Sequence, residues 1–75
     1  MQRLWGSAVK PLLQIIGSDN LARSITVTIN GVRYDYCFHS NVEEILKAMR
    51  LQMRYSHGRT IAKINRLAWK VERYS

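Results

Sequence analysis

Asn30-Gly31 lies between two runs in which apolar and polar residues alternate, Ser24-Ile25-Thr26-Val27-Thr28-Ile29 and Val32-Arg33-Tyr34-Asp35-Tyr36-Cys37-Phe38. A two-residue connection matches the twist of its flanking strands best as a type I′ or II′ turn. Type I′ needs positive φ at both central positions, which Asn and Gly tolerate. The dipeptide therefore predicts an antiparallel hairpin over residues 24–39 and dictates its register. Ile29 then faces Val32, Val27 faces Tyr34 and Ile25 faces Tyr36 on one side, while Thr28 with Arg33, Thr26 with Asp35 and Ser24 with Cys37 share the other. Tyr34 and Tyr36 fall on the apolar side. Their position suits cover for a core better than a platform for stacked bases.

One hairpin is marginal in water and leaves two open edges. A chain of 75 residues makes a single small domain with a small core. Its apolar face needs a helix and its edges need a partner strand, so a homodimer that joins two hairpins into a four-stranded sheet would meet both needs. Cys37 is the only cysteine, which rules out a disulfide within the chain and suits a reducing, cytoplasmic setting. Cys37, His39 and a distant His57 fall short of a four-ligand metal site, and no cofactor is expected. No apolar run approaches the ~18 residues that span a bilayer.

Before the hairpin, Arg3, Ser7, Lys10 and Gln14 recur at helical spacing among Leu4, Trp5, Ala8, Val9, Leu12, Leu13, Ile15 and Ile16. This period predicts an amphipathic helix over residues 1–17, kinked or started by Pro11 and ended by Gly17 with a turn at Ser18-Asp19-Asn20. Such a helix could pack on the sheet or on a second subunit, lie in a membrane interface, or serve as a targeting segment. Two cations on its polar face are few for membrane binding.

After the hairpin the chain is basic. Lys47, Arg50, Arg54, Arg59, Lys63, Arg66, Lys70 and Arg73 face one acid, Glu72, whereas Arg3, Lys10, Arg23 and Arg33 earlier are matched by Asp19, Asp35, Glu43 and Glu44. The net charge of +7 thus falls wholly after residue 45. Ser40 with Glu43 has the form of a capping box and starts a helix whose apolar stripe is Val42, Ile45, Leu46, Met49 and Met53. Gly58 can end it and Thr60 can cap a second helix, in which Ile61, Ile64, Leu67, Ala68 and Val71 oppose Lys63, Arg66, Lys70 and Arg73. One long helix over 41–74 is the alternative, because near-heptad apolar spacing continues through His57-Gly58. A break there lets both basic stripes face one ligand; a straight helix points them apart.

No catalytic arrangement is recognisable. Ser56 and His57 are sequence neighbours with no acid to orient the imidazole, and no phosphate loop or paired carboxylates occur. The expectation is an α+β binding protein, not an enzyme, ordered N-terminal helix, two-stranded hairpin, then two helices. Concentrated positive charge attracts polyanions, so nucleic acid is the leading partner. Arg50, Arg54, Arg59, Lys63, Arg66, Lys70 and Arg73 are the candidate phosphate contacts, with Trp69 or Tyr55 available to stack on a base. A protein-interaction module docking on an acidic partner is the alternative, since the same cations serve either.

Gly31-x-x-Tyr34-x-Tyr36, the following helix with Leu46 and Ala48, and Ser56-x-Gly58 resemble the KTSC domain, a small module of phage proteins that also ends some lysyl-tRNA synthetases. The likeness covers Ile25 through Ile61, about half the chain. It implies a nucleic-acid or translation-linked binding role and functional parts for Ser56 and Gly58. The expected setting for the binding function is a small phage or bacterial regulator.

Overall fold

A computed structural model of the chain describes residues 10–74. Three strands come first, β1 (Leu13–Asp19), β2 (Ser24–Ile29) and β3 (Val32–Cys37), then two helices, α1 (Val42–Met53) and α2 (His57–Leu67), and a last strand, β4 (Lys70–Arg73). The strands form one antiparallel sheet in the order β1-β2-β3-β4.

The β2–β3 pair has the register dictated by Asn30-Gly31, from Ile29 opposite Val32 to Ser24 opposite Cys37. Asn30 and Gly31 both take positive φ, 52° and 84°, as a type I′ turn requires. Around this hairpin the architecture differs from the expected one. The predicted helix over 1–17 lies partly outside the described residues, and where the chain is described it is extended: Leu13–Asp19 pairs with β2 as an edge strand. Two forces override the helical period. Leu13 and Ile15 alternate onto the buried face opposite Ile29 and Val27 while Ile16 points to solvent, and a register shift between Ile15 and Gly17 sets Gly17 opposite Thr26. Pro11 then precedes a strand, where its missing N–H costs nothing. Asp19 shapes the next turn by accepting hydrogen bonds from the backbone N–H groups of Leu21 and Ala22, at 2.9 and 3.1 Å.

A second correction follows at the other edge. Residues 70–73 form β4 rather than the end of a helix, held to β3 by Trp69 N–H to the Cys37 carbonyl (3.0 Å) and Tyr74 N–H to the Arg33 carbonyl (2.9 Å). The chain thus supplies four strands itself, and no second copy is required to complete the sheet.

The helical half is two helices, not one. α1 starts at Asn41 rather than Ser40: the Asn41 side chain accepts from Glu43 N–H at 2.8 Å. The break falls at Arg54-Tyr55-Ser56, where the backbone N–H groups of Tyr55 and Ser56 both turn back to the Gln52 carbonyl. Ser56, not Thr60, caps α2 by accepting from Arg59 N–H at 3.1 Å. Thr60 is buried, and its hydroxyl donates to the Ser56 carbonyl at 2.8 Å. Gly58 lies in the first turn of α2 instead of ending α1.

Both helices cover one sheet face. Leu13, Ile25, Val27, Tyr36 and Phe38 from the sheet side meet Val42, Ile45, Leu46 and Met49 of α1 and Ile64 of α2 in a single core. Two polar bonds fix α2 on this sheet. The Tyr36 hydroxyl donates to Asn65 Oδ1 at 2.8 Å, and His57 Nδ1 accepts from Leu13 N–H at 2.8 Å, which places the imidazole proton on Nε2. Burial pushes the Tyr36 phenol above its ordinary pKa, and neighbouring Tyr34 adds to the shift.

Candidate nucleic-acid interface

α1 and α2 form a hairpin, and their outward surface carries a groove between them. One wall is α2, with Arg59, Lys63 and Arg66; the other is α1 and its turn, with Ala48, Leu51, Gln52 and Tyr55. Two adjoining hollows of about 410 and 360 Å³ make up this groove. Spacings of four and three put the three cations on neighbouring turns of α2, so they share a side. No carboxylate comes within 4 Å of them among the described residues, where the one ion pair is Lys70 with Glu72 at 3.6 Å, both well exposed.

The remaining predicted contacts lie elsewhere. Arg50 stands two residues from both Ala48 and Gln52, hence about 200° around α1, and faces away from the groove. Arg54, the residue that ends α1, follows Leu51 by three and neighbours it, but lines neither hollow. Lys70 pairs with Cys37 and so projects from the sheet face that the helices leave open. Arg73 pairs with Tyr34 and alternates onto the helix side, out at the β4 edge. Trp69 is half exposed and stacks on His39, with ring centroids 5.7 Å apart. The predicted stripe Lys63-Arg66-Lys70-Arg73 is therefore cut at the end of α2, because a strand reverses side every residue while a helix does not.

The open sheet face is polar and internally paired. Asp35 accepts from the Thr26 hydroxyl and from the Tyr74 hydroxyl, the latter at 2.6 Å, and the Arg33 guanidinium lies 5.1 Å from the centre of the Tyr74 ring. The Thr26 bond above all, then the Tyr74 bond, holds the Asp35 carboxyl below its ordinary pKa against a smaller effect of burial. The same contact raises the Tyr74 phenol.

Cys37 is half-buried on this face while His39 stacks on Trp69, and among the described residues no three His, Cys, Asp or Glu side chains cluster as metal ligands. Ser56 and Gly58, the residues singled out by the KTSC likeness, have local structural roles: Ser56 caps α2, and a Cβ on Gly58 would stand 3.6 Å from Pro11 Cγ. No helix among the described residues is long and apolar enough to cross a membrane.

Sequence reasoning gave no ligand contact to Ala48, which entered only through the KTSC likeness, and passed over Leu51 and Gln52. Leu51 had a signal, being an apolar residue off the Val42-Ile45-Leu46-Met49-Met53 stripe, and it is 58% exposed. Comparison of the chain with protein-family models, with curated proteins and with solved structures finds no match.

Proposed function

We propose that this protein binds nucleic acid through the groove between α1 and α2, with Arg59, Lys63 and Arg66 on successive phosphates. The reading rests on one observation: three cations line a single hollow, and among the described residues no carboxylate comes within 4 Å of them. Unpaired charge on one helix side is what a phosphate chain recognises, and it contacts backbone rather than base edges. Arg50 and Arg73 then contribute only to the long-range field. The resemblance to the KTSC domain points the same way, toward a nucleic-acid or translation-linked binding role; a cytoplasmic phage or bacterial regulator that binds without catalysis is the setting we propose. Homo-oligomerisation, where it occurs, has the outer edges of β1 and β4 to use.

Titration with salt tests the proposal. Three phosphate contacts give a slope of log K against log salt of roughly −2 for a single strand and roughly −3 for a duplex. A flat salt response, or no binding to mixed DNA and RNA at low salt, overturns it.

A second reading has its own support. Beside Lys63, a hollow of about 240 Å³ is lined by Ile45, Ala48, Met49, Ile64 and Leu67 together with Ser40 and Glu44, and would take an apolar side chain of a protein partner whose acids meet Lys63 rather than Glu44. Copurified nucleic acid favours the first reading; a single stoichiometric protein favours the second.

A further inference from the structure

We infer that the groove takes a single strand rather than a duplex, with the sugar-phosphate backbone along α2 and the bases against α1, where Tyr55 stacks on one of them. This deepens the proposed function and rests on it.

The two walls differ in chemistry. α2 offers Arg59, Lys63 and Arg66, whereas Ala48, Leu51, Gln52 and Tyr55 on the α1 side carry no charge. A duplex presents phosphates while its base faces are stacked on one another, so it would leave Leu51 and Tyr55 against water. A single strand presents phosphates on one side and unstacked π-faces on the other, and that division matches the two walls. The lengths agree as well. Arg59 to Arg66 spans about 10 Å of helix, the run of about three stacked nucleotides at ~3.4 Å each.

Tyr55 is set apart from the other three tyrosines. Tyr36 and Tyr74 are tied through their hydroxyls to Asn65 and Asp35, and Tyr34 is half-buried with its ring 6.3 Å from that of Tyr36. Tyr55 is 82% exposed, directly beside Arg59 and Lys63. It stands in the turn after α1, outside the core, so its removal leaves the fold intact. Leu51, one helical turn earlier on the same wall, extends the apolar surface that a neighbouring base would cover.

Fluorescence anisotropy with the full chain and labelled 12-nucleotide probes decides the matter, using mixed-sequence single-stranded RNA, single-stranded DNA and the corresponding DNA duplex. The single strands should bind at least about fivefold more tightly than the duplex. Tyr55→Ala should weaken single-strand binding roughly 5- to 100-fold and leave the duplex unchanged, whereas Tyr55→Phe keeps the ring and the affinity. Preference for the duplex, or a Tyr55→Ala variant equal to wild type on single strands with salt-dependent binding intact, overturns this inference alone. Absence of salt-dependent binding to all three probes, or binding of a polyglutamate peptide in their place, overturns the underlying function as well.

Discussion

The two solvent faces of this molecule both carry cations, but they use them differently. On the open sheet face Arg33 lies over the Tyr74 ring, Lys70 pairs with Glu72, and Asp35 collects hydrogen bonds from Thr26 and Tyr74. On the helical face Arg59, Lys63 and Arg66 line a groove with no carboxylate within 4 Å of them among the described residues, although Glu44 shares a neighbouring hollow with Lys63. A charge that already has a neighbour is partly spent on the fold, and a polyanion must break that contact to use it. An unpaired charge carries no such cost. Position in the fold, more than residue type, therefore separates the cations open to a ligand from those engaged in cross-strand contacts.

The comparison can be broken most directly by neutralising each face in turn. Arg59→Gln, Lys63→Gln and Arg66→Gln together should lower single-strand affinity roughly hundredfold at about 0.1 M salt and reduce the salt slope by about 2, measured by anisotropy. Arg33→Gln with Lys70→Gln should change affinity by less than about threefold. Equal losses from the two variants would mean that the faces do not differ as ligand surfaces.

Asp35→Asn sharpens the other half of the contrast. It should cost about 1 kcal/mol in urea unfolding, modest because the site is partly open to water, and leave nucleic-acid affinity unchanged. The sign of its pH dependence follows from the lowered pKa. A carboxylate whose folded pKa is depressed adds stability that is complete above its unfolded value, about 3.9, and is lost as pH falls through the folded value. Wild type should therefore lose this contribution below about pH 4, while Asp35→Asn shows no such loss.

Tyr36→Phe probes the covered face. It leaves Asn65 Oδ1 without that donor and should cost about 1 kcal/mol with binding unaffected. Gly58→Ala has the smallest expected effect, a gain of roughly 0.5 kcal/mol, because the added Cβ meets Pro11 and Ser56 at ordinary contact distances and alanine favours the helix. Lost binding in that variant would give Gly58 the functional part implied by the KTSC likeness and move the site toward the start of α2.

The β2–β3 hairpin was legible down to its register because turn and alternation are local: Asn30-Gly31 restricts φ, and a two-residue loop leaves one way to pair. The amphipathic stripe of α1 was legible for similar reasons, whereas the break between the helices was expected at His57-Gly58, with one long helix as the alternative, and falls at Arg54-Tyr55-Ser56. The caps were displaced, from Ser40 to Asn41 and from Thr60 to Ser56, since several adjacent residues can accept the same backbone donors.

What the residues alone did not determine is whatever depends on a neighbour remote in sequence. Leu12-Leu13 and Ile15-Ile16 around Gln14 suit a helix as well as a strand, and only pairing with β2 and the shift at Ile16 decide for the strand. Residues 70–73 continue a helical basic stripe in sequence, yet hydrogen bonds to the β3 edge capture them, and that capture moves Lys70 to the opposite side from Lys63. By itself, the sequence determined where the charge lies along the chain, that the hairpin exists, and which faces of the helices are apolar. Tertiary structure decided which cations meet. It did so by folding α2 back beside α1, which set Arg59 and Lys63 opposite Leu51 and Tyr55, with Arg66 further along α2 beyond Gln52, and left Arg50 and Lys70 facing elsewhere.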